Sequence, residues 1–352
     1  MNDFNTYSDT DTDTDSSTDT DSSVSDTDIA INNESKSGLT ELDSVSQSVK
    51  ELITDIKIDS NDELTEPPLL TGLEYDHSLK IVDSIEKKKK ESDIRIMTYN
   101  VHGFNSRDWR YTYDDIIKQI TIIDPDLFCL QEIHLGCPDR YTIERMQEHL
   151  LELGYKTKTS RCYNNIIGSK YDFDLDEIKT CNADDDIGSL THRCAIVAKN
   201  IKNLERLNFC ATHLEVIDED SVKKFGRSRI KQINCILDYF KNIDKSMKII
   251  LAGDFNSLRK ADYDEQQWSM IENVDKKRKS IAKEDVIPIL EKEEFVDSFI
   301  GANLKSPSVS VWSNRRVDFI YGKNVRFVDA KTVVTGLSDH YPVYADINIV
   351  NN

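Results

Sequence analysis

Between residues 94 and 349 short apolar runs repeatedly lead into a carboxylate, an amide or an imidazole. Ile94–Tyr99 runs into Asn100-Val101-His102-Gly103, and Leu127–Leu130 into Gln131-Glu132. Leu207–Thr212 runs into His213, and Lys248–Gly253 into Asp254-Phe255-Asn256. Arg316-Val317-Asp318-Phe319-Ile320 holds a carboxylate inside a further run, and Ser338-Asp339-His340 precedes Val343–Ile349. Short apolar runs bounded by turn residues read as strands. Turn chemistry explains Asn, Asp and Gly at their ends, so G-D-F-N taken alone could be a plain loop. It does not explain Glu132, His213 or His340. Strand ends gathered on one edge of a sheet are where α/β folds bind ligands.

The intervening segments are helical in pattern. Ile116, Ile117, Ile120 and Ile123 share a face, as do Ile143, Met146, Leu150 and Leu151, and Ile230, Ile233, Ile236, Leu237 and Phe240. Strands mixed with helical crossovers predict a mixed-sheet α/β domain over residues 93–350. The chain carries no internal repeat, no G-x-G-x-x-G and no Walker loop.

The first 92 residues read differently. Y-S-D-T-D-T-D-T-D-S-S-T-D-T-D-S-S-V-S-D-T-D (residues 7–28) has nothing to build a core from and predicts a disordered acidic tail. An amphipathic helix is expected within residues 40–58, where Leu42, Val45, Val49, Leu52, Ile53 and Ile56 recur at helical spacing. Residues 1–90 hold 22 acidic and 8 basic residues, so most of the chain's net charge of −19 belongs to the tail. The remainder is close to neutral, and global charge neither implies nor excludes an anionic substrate. The run Lys87–Lys90 reads as a solvated hinge, with a nuclear-import signal or a phosphate contact as alternatives.

Seven cysteines, none in a C-x-x-C pair and several inside apolar runs, fit a reducing compartment. The N-terminal M-N-D-F-N-T-Y-S-D-T has neither a basic nor an apolar signal region, and no stretch is long and apolar enough to span a membrane. The expectation is a soluble, intracellular monomer, cytoplasmic or nuclear.

The residue types at the strand ends suit a hard cation, Mg²⁺ or Mn²⁺, held by oxygens. No Cys/His spacing supports zinc. Histidine beside carboxylates and such a metal suits phosphoryl chemistry, in which phosphate charge is neutralised while water is oriented for attack.

T-Y-N, L-Q-E, T-H-L, G-D-F-N, R-V-D-F-I and S-D-H-Y-P-V stand in this order along residues 93–350. Each is weak alone. Together the chain resembles the endonuclease/exonuclease/phosphatase superfamily, which includes DNase I, abasic-site endonucleases, deadenylases, neutral sphingomyelinases and inositol-polyphosphate 5-phosphatases. The resemblance implies a four-layered α/β sandwich of two packed mixed sheets flanked by helices, with the site at one edge. It implies that Glu132 is the principal metal ligand with Asn100 beside it and Asp339 completing the surroundings. Asp254 would orient or deprotonate the attacking water, and Asn256 would hold it and the phosphate. His340 would contact the scissile phosphate, Asp318 would fix the imidazole from behind, and His213 would face the phosphate from the other side. Asp254 and Asn256 are expected to share a face as alternate residues of one strand exit. Asp318 and His340 are expected to pair across neighbouring strands.

Other positions are less constrained. Arg193 matches a basic position often seen in the family and is taken as a phosphate contact, with a structural arginine as the alternative. Asn165 belongs to a loose match in Y-N-N-I-I-G-S and is a candidate substrate contact. His134 reads as a loop histidine, His102 as a rim residue and Trp312 as core. Family motifs fix chemistry and leave the substrate open. W-S-N-R-R stands where 5-phosphatases carry W-C-D-R. Basic clusters at Lys223, Lys224, Arg227, Arg229 and Lys231, and at Lys276–Lys279, favour nucleic acid, although a solvated helix face also explains them. A small phosphate ester or lipid head group remains the alternative substrate. A non-catalytic scaffold is the alternative of another class, disfavoured because Glu132, Asp254 and His340 are all present.

Overall fold

The computed structural model describes residues 92, 94–107, 109–133, 141–160, 165–179, 195–204, 206–216, 229–278, 284–307 and 309–349. The acidic tail, its expected helix, Arg193 and His134 lie outside these residues.

Twelve strands form two six-stranded sheets. The first contains β1 (Ile94–Asn100), β2 (Leu127–Gln131), β3 (Lys156–Thr159), β4 (Asn165–Ser169), β11 (Arg326–Thr332) and β12 (Val343–Asn348), ordered β11-β12-β1-β2-β4-β3. The second contains β5 (Asp174–Ile178), β6 (Ala195–Lys199), β7 (Leu207–His213), β8 (Lys248–Asp254), β9 (Val296–Asp297) and β10 (Asp318–Lys323), ordered β5-β6-β7-β8-β10-β9. Each sheet is mixed, with one parallel pair at its centre, β1–β2 or β7–β8, and antiparallel neighbours around it. A parallel pair needs a crossover, and in both cases an amphipathic helix supplies it: α1 (Tyr113–Ile123) and α3 (Arg229–Lys241). The remaining helices are α2 (Tyr141–Glu152), α4 (Glu265–Arg278), α5 (Ile287–Lys292) and α6 (Ser298–Gly301).

Three large apolar clusters show the layering. Ile94, Ile96, Leu127, Cys129, Ile167, Phe209, Ala211, Ile250, Ala252, Ile320, Val343 and Ala345 fill the space between the sheets. Met97, Tyr99, Phe128, Leu130 and Tyr344, on the other face of the first sheet, meet α1 and α2 through Ile116, Ile120, Met146 and Leu150. Val197, Cys210, Leu251, Phe319 and Tyr321 meet α3 and α5 through Ile233, Ile236, Leu237 and Leu290. The result is a four-layered α/β sandwich. Each fully buried aliphatic side chain contributes about 1.5–3 kcal/mol relative to exposure, so the pattern of alternate residues fixes each strand's register and facing.

Two helix faces differ from expectation. Leu151 is 62% exposed and Ile230 39% exposed, each at the rim of the apolar stripe. The edge strands β3 and β5, sequences K-T-K-T and D-L-D-E-I, were not foreseen, because between them only Ile178 is buried. Buried Asn165 and its neighbours, read as a loose motif, form β4.

Candidate active site

Strand parity builds the site. In β1 the residues facing the other sheet are Ile94, Ile96 and, continuing the alternation, Thr98 and Asn100; in β8 they are Ile250, Ala252 and Asp254. The same alternation brings Gln131 to the end of β2, His213 to the end of β7, and Asn165 and Asp318 to the first positions of the antiparallel β4 and β10. Register then lines these residues up. Asn100 pairs with Gln131 and Gln131 with Asn165 in the first sheet. His213 pairs with Asp254 and Asp254 with Asp318 in the second. All six are buried. A row of amides thus lies against a row of ionisable groups at one edge of the sandwich.

Contacts join the rows. Asn100 Nδ2 donates to Asp254 Oδ2 at 3.1 Å and lies 3.5 Å from His340 Nε2. Glu132, one residue past β2, adopts φ 59°, leaving the strand's alternation. Its Oε1 lies 3.6 Å from His213 Nε2, which is also 3.5 Å from Asp254 Oδ2. Gly253, at φ 151° beside β7, has no room for a side chain: a Cβ would stand 1.8 Å from the Thr212 carbonyl oxygen. This explains the glycine of G-D-F-N.

His340 comes from the loop before β12. Ser338 Oγ donates to the Asn100 carbonyl at 2.8 Å and accepts the His340 N–H at 3.1 Å, fixing that loop to β1. Asp318 Oδ2 lies 2.9 Å from His340 Nδ1 and accepts from Ser310 Oγ at 2.7 Å. The pairing exists, but not between neighbouring strands. Asp318 belongs to the second sheet and His340 to a loop of the first, joined through a bridge between Val311 and His340. Ser338 could have been read from S-D-H; Ser310, in S-V-S-V-W, carries no distinguishing signal.

Electrostatics follow from burial and crowding. Burial pushes the Asp254 carboxyl up; the charges of Asp318 and Glu132 add to this, His340 opposes it, and the result is about 7. For His340, burial works against the charged ring, but Asp318 and Asp254 beside it prevail and push it up to about 10. The site therefore holds an imidazolium at neutral pH, backed by Asp318 and 3.8 Å from Asp254.

Two sets of side chains bring ligand atoms within 4.8 Å of one another: Glu132, His213 and Asp254, and Asp254, Asp318 and His340. The first offers two carboxylates and an imidazole with no thiolate, which fits a divalent cation. In the second, the Asp318–His340 hydrogen bond already occupies the ring's Nδ1. Asp339 belongs to neither set; its Oδ1 lies 3.8 Å from His102 Nδ1. Asn256 does not continue β8, which ends at Asp254. It turns at φ 47°, donates its N–H to Asp254 Oδ1 at 2.9 Å, and anchors Nδ2 on the Leu214 carbonyl at 3.0 Å. The shared strand face expected for Asp254 and Asn256 is replaced by this turn.

Two further expectations change. Trp312 is half-buried at the rim of the site, not in the core. Its backbone N–H donates to the Asp339 carbonyl at 3.0 Å, and the Arg107 guanidinium lies 3.9 Å from its ring centroid. Arg229 is not a surface cation. It is 4% exposed, paired with Asp285 at 2.9 Å and donating to the carbonyls of Glu215 and Val216. Lys231 and Lys276 are exposed.

Solved structures share this fold. An endonuclease/exonuclease/phosphatase family protein from Leptotrichia buccalis superposes with a TM-score of 0.54 at 16% identity, covering 73% of this chain and 100% of that one. One from Beutenbergia cavernae gives 0.53 at 19%, covering 73% and 72%. An AP endonuclease from Archaeoglobus fulgidus gives 0.51 at 17%, covering 73% and 100%. No curated protein matches the chain in sequence. The model of the Endonuclease/Exonuclease/phosphatase family matches residues 97–340, which span every described residue placed at the site. The chain belongs to this family, and it is a phosphoric ester hydrolase.

Proposed function

We propose that the protein is a Mg²⁺- or Mn²⁺-dependent nuclease that hydrolyses a phosphodiester of nucleic acid with an activated water. The observation that carries this reading is the position of Asp254. Its carboxylate is shared between Glu132 and His213 on one side and His340 on the other. A divalent cation held by Glu132, with Asn100 and Asp254 close by, would neutralise charge on the phosphate and lower the pKa of a bound water.

The protein's own groups do the rest. Asp254, buried between Glu132, His213 and His340, is the carboxylate that would accept a proton from the attacking water. Asn256 fixes Asp254 through its N–H and stands at the same turn. The His340 imidazolium turns Nε2 toward the phosphate and stabilises charge as it develops, while Asp318 holds Nδ1. His213 orders Glu132 and Asp254 from behind. Asp339 acts from the rim, beside His102. Arg193 and Asn165 are proposed as phosphate contacts. Residues 1–92 are proposed as a separable acidic tail, so a chain beginning near Glu91 should keep the activity.

The test is a panel of plasmid DNA, single-stranded DNA, RNA, bis(p-nitrophenyl) phosphate and inositol phosphates, with Mg²⁺, Mn²⁺ or EDTA. Nucleic-acid cleavage that disappears in EDTA is expected. Full activity in EDTA, or turnover confined to inositol phosphates, would overturn the reading. Among the described residues no helix is long and apolar enough to cross a membrane.

A further inference from the structure

The loop after β1 carries an unusual surface. Trp109 is 70% exposed and Tyr111 54% exposed, in the sequence R-D-W-R-Y-T-Y. Its described residues are tied down at several points. Trp109 N–H donates to the Ser106 carbonyl at 2.9 Å, Ser106 N–H to the Arg110 carbonyl at 2.9 Å, and Thr112 Oγ1 to the Leu337 carbonyl at 2.6 Å. Asn105 and Tyr111 form an isolated bridge. Trp109 takes φ 63°, which is costly for a bulky residue. Its ring packs against His102 at 5.1 Å between centroids, leaving most of the indole open. His102 in turn donates its N–H to Asn100 Oδ1 at 3.1 Å, the same amide that contacts Asp254. One ring therefore separates the indole from a residue bonded into the site.

Arg107 and Arg110, both exposed, stand two residues before and one residue after Trp109 in the chain, and Arg107 stacks on Trp312, whose backbone N–H is fixed to Asp339 beside His340. An open aromatic face among arginines next to a phosphate-handling centre matches what unpaired nucleic acid requires. Bases stack on the ring while the backbone is tracked by cations. A base inside an intact duplex has both faces covered and cannot use such a platform.

We propose that Trp109, backed by His102 and flanked by Arg107 and Arg110, stacks an unpaired base of a strand whose phosphate lies at Asp254 and His340. The substrate is thereby a single strand or a frayed end. This deepens the nuclease reading and rests on it. The test measures binding of labelled (dT)8 by the full chain in EDTA, against an octamer of abasic residues with the same phosphates. Wild type should bind (dT)8 more tightly than the abasic strand. Trp109→Ala should lose about ten- to a hundred-fold in affinity for (dT)8 alone, and Trp109→Phe should keep most of it. Arg107→Gln should weaken both strands alike, most clearly at low salt. Equal binding of the two strands by wild type, or unchanged (dT)8 binding by a folded Trp109→Ala, overturns the platform. Mg²⁺-dependent hydrolysis of bis(p-nitrophenyl) phosphate without base-dependent binding would sink this inference and spare the hydrolase. Base-dependent binding without cleavage of any nucleic acid would spare the platform and remove the nuclease.

Discussion

Arg316 and Asp318 stand two residues apart, and their surroundings are built on opposite plans. Arg316, fully buried, meets Asp262 at 2.8 Å and Asp297 at 2.5 Å, both carboxylates fully buried as well. Phe319 and Phe299 lie 4.3 Å and 4.9 Å from its guanidinium. A buried guanidinium faces two carboxylates there, one of them also paired with Arg259 at 3.0 Å. Asp318 instead enters a group with Asp254 and His340, next to Glu132 and His213, and among the described residues its ion pair is with the His340 imidazole. The first cluster holds the fold in one state. The second keeps unbalanced negative charge that a metal ion, a proton and a phosphate transition state can use. Crowded carboxylates of this kind cost stability, and proteins retain such costs at working sites.

The sharpest way to break the contrast is to neutralise one residue in each cluster. Asp254→Asn should lower turnover by about three to four orders of magnitude, or about 4–5 kcal/mol of barrier. Its Tm should stay level or rise, because one crowded buried carboxylate is gone. A folded variant with more than about a tenth of wild-type turnover would refute the assignment. Arg316→Met should do the reverse, costing about 3–5 kcal/mol of stability because buried Asp297 loses its guanidinium and Asp262 keeps only Arg259. The fraction still folded should turn over near the normal rate. A denaturant midpoint unchanged from wild type would show that the Arg316 cluster is not structural.

A smaller effect probes the dyad. His340→Ala should cost about a hundred- to a thousand-fold in kcat, and Asp318→Asn less, with little change in KM. The double variant should be scarcely worse than His340→Ala, since the two act as a unit. Additive losses would show that Asp318 supports the strand and not the imidazole.

A further effect is in pH. In EDTA the folded Asp254 carboxyl holds its proton up to about 7, above its unfolded value, and His340 holds its proton up to about 10. Both groups bind protons more tightly in the folded state, so each contributes stability at low pH that is lost as pH rises through these values. The metal-free protein should therefore lose thermal stability from about pH 5 to pH 10. Asp254→Asn should flatten the lower half of that slope, and Mg²⁺ should flatten it for wild type. A Tm that rises across this range in EDTA would contradict the charge arrangement described here.

The strands that carry the chemistry were legible because they are buried on both faces. I-I-L-A-G-D and L-N-F-C-A-T-H need apolar residues at nearly every position, so the polar residue at the end stands out. The edge strands β3 and β5 were not legible, since solvent on their outer side lets K-T-K-T and D-L-D-E-I look like loops. Trp312 shows the limit for single residues. An aromatic in a short variable stretch has no periodicity to reveal whether it packs inward or lines a rim.

The sequence by itself determined the period of two in each strand, and with it that Asn100, Asp254 and Asp318 share a face with the residues two positions away in their own strands. It also determined the order of the motifs and the glycine that lets β8 pass β7. The tertiary structure decided which rows meet. Only sheet packing sets the Asn100 amide 3.1 Å from Asp254, and only the bridge from Val311 carries His340 across the sandwich to Asp318. Those contacts span 154 and 22 residues of chain. No local pattern encodes them, because local spacing fixes the direction of a side chain and packing alone fixes its partner.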